Sequence, residues 1–489
     1  MTLLNTLTIH EALIGLDKGE FTSIELVKAL LSVIQERDSE LGAYITLDEP
    51  YALRQAEAAD KMRKEGKSGK LLGVPIAIKD LINVKGQSCS CASKILEGYC
   101  SIYDATAIAR LRSEGAVFLG RTNMDEFAMG SSTENSAFHI THNPWKRDCV
   151  PGGSSGGSST AVVADEAIGA LGSDTGGSIR LPASFCGCVG LKPTYGRVSR
   201  YGLTAFASSL DQIGPITKDI RDTAILLGII SGYDTHDSTS VDMPVPDYEK
   251  VLTCDLSGMK LGLPKEYFSK GMNAEVEKVI QSAIRQCEKL GAKLIDVNLE
   301  MTPYAIATYY IIACAEASAN LARFDGVRYG FRAKNPSDPI DLYKRTRAKG
   351  FGQEVKRRII LGTYVLSSGY YDAYYARAQK VRTRIRDDFT KTFQHCDALL
   401  APVSPTPAYK LGEKTDEPLK MYLSDILTVS ANLSGICGLS VPCGFTSEHL
   451  PIGLQILGPG FSEDIILKAG YAYEQSTKWH LQRPFLTEK

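Results

Sequence analysis

Apolar residues recur at helical spacing in two long parts of the chain. Near the N-terminus, an apolar face with three- and four-residue spacing follows Thr22, and Thr22 with Glu25 matches the capping box that begins a helix. The apolar stretch 304–322 is long, but Glu316 and Asn320 interrupt it, which is typical of a buried helix rather than a membrane span. Both segments are therefore predicted to be helices that pack on the body of the protein.

Short apolar runs with polar boundaries indicate buried strands between the helical segments. The run 71–78 predicts a strand that ends at Lys79, although Pro75 lies within it. Between residues 104 and 120 a helical pattern leads into a second buried strand, and 261–263 begins another strand that long helical patterns follow. This alternation of strands and helices predicts an α/β fold.

The composition is that of an ordinary folded protein, with 489 residues, 44% hydrophobic residues, 23% charged residues and a formal net charge of -1. No linker or repeat divides the chain, so one continuous domain over residues 1–489 is the simplest prediction. The near-neutral charge disfavours a broad nucleic-acid surface and favours a small or neutral substrate. Because the N-terminus lacks a secretory signal, we expect a cytoplasmic protein whose 12 cysteines are reduced.

Two cysteine pairs have one-residue spacing, Cys89 with Cys91 and Cys186 with Cys188. No histidine pattern accompanies them, and the spacing is a weak match to a zinc site. We interpret these cysteines as small buried hydrophobic residues and assign no metal to the chain.

Residues 152–159 concentrate serine hydroxyls and glycines, and three interpretations of this stretch compete. A phosphate cradle would need the lysine of a P-loop, which is missing, whereas a nucleophile elbow matches at Ser154 or Ser155. A glycine-serine surface loop is the third interpretation. An elbow would also require a downstream histidine. The four candidates, all in charged or turn-like sequence and interpreted as surface residues, are His236, His395, His449 and His480.

A second cluster, 172–180, contains the better nucleophile. Ser178 directly follows residues whose main-chain N–H groups can point at one oxyanion. Without a histidine, the base that takes the serine proton must come from elsewhere. Lys79 is the natural candidate, because burial at the end of an apolar strand would lower its pKa and provide a neutral amine. An ordinary solvated lysine is the alternative interpretation.

Three ordered motifs, 73–80, 151–158 and 172–180, resemble the amidase signature family. The segments 121–138 and 198–215 are similar to the glutamine-hydrolysing subunits of tRNA-dependent amidotransferases within that family. The resemblance extends over nearly the whole chain. It implies an α/β fold in which helices cover both faces of a large mixed β-sheet.

The resemblance also implies a Ser-Ser-Lys triad within a signature core at residues 70–215. In this triad Ser178 attacks a carboxamide, Ser154 relays the proton, and Lys79 is the final base. The relay serine of the family follows a cis peptide bond, so we expect the bond between Gly153 and Ser154 to be cis. Water would then cleave the acyl-enzyme formed on Ser178.

The family further implies an oxyanion hole and a glutamine pocket, with pocket residues drawn from 300–443. The expected main-chain donors are Thr175, Gly176 and Gly177, and the expected glutamine contacts are Tyr309, Arg358 and Asp425. An arginine can grip the α-carboxylate of glutamine through two parallel hydrogen bonds, which a lysine cannot do. A solvated helix face for Arg358 and a surface turn for Asp425 are the alternative interpretations.

Members similar to this chain act in a heterotrimer with the B and C subunits of the amidotransferase. They release ammonia from glutamine, and the B partner uses ATP and Mg²⁺ to amidate Glu-tRNA(Gln), while the small C partner bridges the assembly. By this resemblance the chain itself needs no cofactor, the charged tRNA is bound mainly by the B partner, and no membrane is involved. The near-neutral charge agrees with that division.

Two other functions stay open. A free-standing amidase of the same family would act on another small amide, although Arg358 and Asp425 favour glutamine. A non-catalytic scaffold subunit would retain the fold without the chemistry, but all three triad positions are filled.

Overall fold

The computed structural model describes residues 3–268 and 271–485, which contain fifteen α-helices and eleven β-strands. The helices are α1 (Ile9–Lys18), α2 (Ser23–Leu41), α3 (Glu49–Lys64), α4 (Thr106–Ser113), α5 (Gly156–Val163), α6 (Arg180–Cys186), α7 (Ile220–Ile230), α8 (Ala274–Lys289), α9 (Ala305–Asn320), α10 (Pro339–Gly350), α11 (Gln353–Leu366), α12 (Arg377–Thr392), α13 (Pro418–Tyr422), α14 (Val429–Ser434) and α15 (Glu463–Gln475). The strands are β1 (Tyr44–Leu47), β2 (Pro75–Lys79), β3 (Val117–Thr122), β4 (Gly169–Asp174), β5 (Val189–Lys192), β6 (Gln212–Thr217), β7 (Lys260–Pro264), β8 (Lys293–Val297), β9 (Ala398–Pro402), β10 (Cys437–Phe445) and β11 (Pro451–Gly458).

All of these strands belong to one mixed sheet with the order β1-β3-β2-β4-β6-β5-β10-β11-β9-β7-β8. Strand β2 runs parallel to both β3 and β4, and β7 runs parallel to both β8 and β9. The remaining neighbours are antiparallel. The strand that carries Lys79 therefore lies inside the sheet, between two parallel neighbours.

Helices cover both faces of the sheet, as the family resemblance predicted. Successive residues of a strand point to opposite faces, yet every residue of β2, β3, β4 and β6 is buried. The edge strands β1 and β8 have exposed positions instead. The predicted α/β class is confirmed, while the single domain over residues 1–489 stays a prediction.

The predicted helices are present. Helix α2 follows Thr22, and the capping box with Glu25 is formed in both directions. The stretch 304–322 folds largely into α9, one face of which is buried. Within the described ranges, no helix is long and apolar enough to cross a membrane.

The first predicted strand is shorter than its apolar run. Strand β2 begins at Pro75, whereas the buried residues 71–74 form a turn. Pro75 is tolerated because it is the first residue of the strand, where the missing N–H interrupts no ladder on the β4 side, which pairs from Ile76 onward. The strand ends at Lys79 as predicted.

Candidate active site

Lys79 ends β2 inside the sheet, and its amine meets three serine hydroxyls. Its side chain is fully buried, and Nζ lies 2.7 Å from Ser154 Oγ, 2.8 Å from Ser155 Oγ and 2.9 Å from Ser173 Oγ. Ser173 reaches the amine because β4 runs parallel to β2, with Leu171 opposite Ile78. The expected contact between Lys79 and Ser154 is therefore formed.

Burial makes Lys79 a candidate base. Loss of solvation lowers its pKa to about 7, although the charges of Asp125, Asp174 and Asp211 oppose this shift. A buried ammonium is disfavoured relative to a neutral amine, so the amine is available near neutral pH. The alternative of an ordinary solvated lysine is wrong for this structure.

The two glycine-serine clusters meet at Ser155. Its main-chain N–H donates to the carbonyl of Ser178 over 3.1 Å, which places the main chain of the predicted nucleophile beside one of the three serines bound to Lys79. The peptide bond between Gly153 and Ser154 is cis, as predicted. Ser178 retains 6% of its surface exposed whereas Lys79 and Ser154 have none, so Ser178 is the member that a substrate can reach.

Three residues near Lys79 were not assigned from the sequence. Ser155 and Ser173 bind its amine directly, and the buried carboxylate of Asp125 acts on it through charge. Ser155 lies in the first glycine-serine cluster and Ser173 in the second, so their positions in the sequence could have indicated that they belong to the site. For Asp125 the signal was absent, because only the fold brings residue 125 close to residue 79.

The loop that follows β4 is held by a buried ion pair. Asp174 accepts hydrogen bonds from Arg180 Nε and Nη2, both over 3.1 Å, and from Asn432 Nδ2 over 2.8 Å. Burial opposes ionisation of Asp174, but the Arg180 guanidinium outweighs burial and lowers the pKa of the carboxyl group to about 2. The ion pair thus fixes both ends of the loop that carries Ser178.

The same carboxylate changes the expected oxyanion hole. The N–H of Gly177 donates to Asp174 Oδ1 over 2.8 Å, so in this structure it is turned toward the carboxylate and does not face an oxyanion as expected. Gly177 has φ +140°, and a Cβ there would lie 2.3 Å from Thr428 Oγ1, which explains the glycine. Thr175 and Gly176 are the expected donors that this bond leaves unaffected.

Replacing Arg180 with methionine is expected to destabilise the protein by about 3–5 kcal/mol, because it leaves the Asp174 charge buried without its partner. The measurement is the free energy of unfolding in urea. Arg345→Met is the matched control, since Arg345 is half exposed and pairs with Asp341 on the surface. The control should cost less than about 1 kcal/mol, and equal losses in both variants would contradict the role of the buried pair.

The structure places the three predicted glutamine contacts in buried positions, and one of them lies against the loop that follows β4. Arg358 on α11 is 2% exposed and Asp425 is 7% exposed, so neither the solvated helix face nor the surface turn is correct. Tyr309 on α9 lies against the loop, because a Cβ on Gly176 would be 2.5 Å from its hydroxyl oxygen. Tyr309 therefore connects the pocket to the loop that carries Ser178.

Arg358 and Asp425 are linked through one aromatic side chain. The Tyr310 ring lies 5.2 Å from the Arg358 guanidinium, and its hydroxyl donates to Asp425 Oδ2 over 3.5 Å. Ser131 also donates to Asp425 Oδ2, over 2.6 Å. Burial raises the pKa of Asp425 to about 7. A cation and a titratable acid therefore contact the same Tyr310 side chain without pairing directly.

The histidines and the closely spaced cysteines that the sequence singled out differ in their exposure. Across 3–268 and 271–485, no histidine hydrogen-bonds to Lys79, Ser154 or Ser178. Of the predicted surface histidines, His480 is half-buried and the exposed ones are His236, His395 and His449. The two closely spaced cysteine pairs are buried free thiols, as predicted: Cys89, Cys91, Cys186 and Cys188.

One group in the described part of the chain has ligand atoms close enough to hold a metal ion. His10, Asp219 and Asp222 place these atoms within 4.8 Å of one another. Asp222, however, accepts hydrogen bonds from the main-chain N–H of Ile9 over 2.6 Å and of His10 over 3.0 Å. The group therefore joins the start of α1 to α7, and its residues are separate from the triad.

Known proteins match this chain over nearly its whole length. The amidase family model matches residues 25–467. The A subunit of the glutamyl-tRNA(Gln) amidotransferase of Methylacidiphilum infernorum is 59% identical over 97% of this chain and 95% of that one, and its counterpart in Geotalea daltonii is 55% identical over 98% and 99%. The crystal structure of the same amidotransferase component from Thermotoga maritima matches with a TM-score of 0.80 and 43% identity, over 96% of this chain and 95% of that one. The motifs, the fold and these matches agree, and the chain belongs to the amidase family.

Proposed function

We propose that this chain is the glutamine-hydrolysing A subunit of a glutamyl-tRNA(Gln) amidotransferase. The observation that carries the proposal is the buried amine of Lys79, with its pKa lowered to about 7, at 2.7 Å from Ser154 and next to the loop of Ser178. Relatives with that name are 55–59% identical over nearly the full chain, which supports glutamine as the amide.

The proposed reaction has two halves. Ser178 Oγ attacks the side-chain carbonyl carbon of glutamine, its proton passes to Ser154 Oγ, and Ser154 gives its own proton to the neutral amine of Lys79. Main-chain N–H groups of Thr175 and Gly176 face the oxyanion, and a contribution from Gly177 requires its bond to Asp174 to open. One proton returns from Lys79 through Ser154 to the leaving nitrogen, ammonia departs, and water hydrolyses the ester on Ser178 to glutamate.

The proposed pocket binds the two charged groups on the α-carbon of glutamine. Arg358 binds the α-carboxylate, and Asp425 accepts from the α-ammonium with Tyr309 beside it. Because burial raises the pKa of Asp425 to about 7, a bound ammonium would favour the ionised form of that carboxyl group. The two charges are thus arranged for an amino acid rather than for a simple amide.

The proposed assembly is a cytoplasmic heterotrimer with the B and C subunits. We propose that the B partner binds the charged tRNA and uses ATP and Mg²⁺ to amidate it, while the C partner bridges the complex. The near-neutral charge of this chain supports that division, because a protein that binds tRNA generally has a basic surface.

The test is co-purification with candidate B and C partners, followed by amidation of Glu-tRNA(Gln) with glutamine as donor. We expect a stable complex, glutamine-dependent product and free glutamate. Hydrolysis of simple amides but not of glutamine would instead support a free-standing amidase. Failure to amidate any charged tRNA would contradict the amidotransferase assignment.

A further inference from the structure

Arg358 is already bonded at one edge of its guanidinium. Its Nε donates to Glu354 Oε1 over 2.7 Å, one helical turn earlier on α11, and both side chains are at most 4% exposed. The same oxygen accepts from the hydroxyl of Tyr422 over 2.8 Å. The other carboxylate oxygen of Glu354 pairs with Arg357 at the surface side. Glu354 is thus fixed from three directions.

Three aromatic rings lie close to the guanidinium of Arg358. The rings of Tyr310, Tyr422 and Phe206 lie 5.2, 5.3 and 5.5 Å from its central carbon. Tyr310 and Tyr422 are stacked on each other, with centroids 3.9 Å apart. Among the residues that the structure describes, none accepts a hydrogen bond from Nη1 or Nη2 of Arg358. These two groups are therefore available to a ligand, whereas Nε is not.

We infer that Glu354 is a positioning residue that makes Arg358 receive the substrate carboxylate end-on. A guanidinium offers a carboxylate two bidentate edges, one formed by Nη1 with Nη2 and one that includes Nε. Glu354 occupies the edge that includes Nε, so only the Nη1–Nη2 edge can take both oxygens of a carboxylate. This inference rests on the proposed function, in which Arg358 binds the α-carboxylate of glutamine.

Glu354 also keeps the two charged contacts of the pocket apart. A buried guanidinium needs a compensating charge, and without Glu354 a buried carboxylate still linked to it is Asp425, through Tyr310. Compensation by Glu354 leaves Asp425 bonded to Ser131 and free to accept the α-ammonium. Glu354 therefore orients Arg358 toward the α-carboxylate of the substrate and leaves Asp425 available for the α-ammonium.

The experiment compares glutamine with 4-aminobutanamide, which is glutamine without the α-carboxylate. The measured quantity is kcat/KM for glutamine divided by kcat/KM for 4-aminobutanamide. Both are determined from ammonia release by the purified complex. For Glu354→Ala we expect the ratio to fall about 10- to 100-fold, chiefly through a higher KM for glutamine, because a charge-assisted bond that orients Arg358 is lost. Glu354→Gln, which can still accept from Nε, should recover part of the ratio.

Lys356→Gln is the matched control, since it removes a charge from the same helix and its Nζ donates to the carbonyl of Ala348 instead. Its ratio should stay within about twofold of the wild type, as for other surface charges. If Glu354→Ala slows both amides equally, its role is structural only and the inference is overturned. If the wild-type complex does not hydrolyse glutamine, the proposed function itself fails, which is a separate outcome.

Discussion

Ser178→Ala is expected to lower glutamine hydrolysis by at least about 10⁴-fold while the protein stays folded, because no other hydroxyl can form the acyl-enzyme. Ser154 and Ser155 are fully buried against Lys79, whereas Ser178 keeps an exposed surface. Neither neighbour can therefore replace it as nucleophile. The measurement is glutamate formation by the purified complex at saturating glutamine.

The same variant separates glutamine hydrolysis from the amidation of tRNA by the partner. With ammonium chloride in place of glutamine, amidation of Glu-tRNA(Gln) by the Ser178→Ala complex should continue at the wild-type rate, because the partner would use free ammonia directly. Ser159→Ala is the matched control, because Ser159 is a buried serine of the first glycine-serine cluster, 152–159, and is not among the hydroxyls bound to Lys79. Wild-type glutamine hydrolysis by Ser178→Ala would support a scaffold subunit.

Much of the fold could be predicted from local patterns. The capping box at Thr22 and the end of β2 at Lys79 are both local signals, and the structure contains both. The start of β2 could not be predicted from hydrophobicity, since residues 71–74 are as buried as the strand itself. A buried segment is a strand only where it pairs with neighbouring strands, and the pairing of β2 with β4 begins at Ile76.

The finer geometry of the site depends on contacts that no periodicity contains. Thr428 lies against Gly177, and Tyr422 bonds to Glu354, although long stretches of sequence separate each pair. Motifs therefore predict the triad residues but not the bond from Gly177 to Asp174. Family resemblance predicts Arg358 as a ligand, and only the structure shows that Glu354 occupies the edge of its guanidinium that includes Nε.

Lys79→Met is expected to abolish glutamine hydrolysis, with a loss comparable to that of Ser178→Ala, because residues of one catalytic unit are not additive. Lys79→Arg should be equally inactive, since a guanidinium stays protonated at every accessible pH and cannot act as base. The rates of both variants are measured at saturating glutamine, and near-equal melting temperatures serve as the folding control. Activity of Lys79→Arg near the wild-type level would show that the amine has no role as base.

The pH profile gives an independent test of the same group. Lys79 accepts a proton only as the neutral amine, and burial lowers its pKa to about 7, so kcat should rise with pH through about 7 and level off above it. Asp425 has a raised pKa of about 7 as well, but its ionisation affects binding of the α-ammonium and should appear in KM. Since kcat at saturating glutamine reports the bound complex, the rise in kcat isolates Lys79. A kcat that is constant between about pH 5.5 and 8.5 would contradict a base of this pKa, because the neutral fraction of such a group rises about 30-fold over that range.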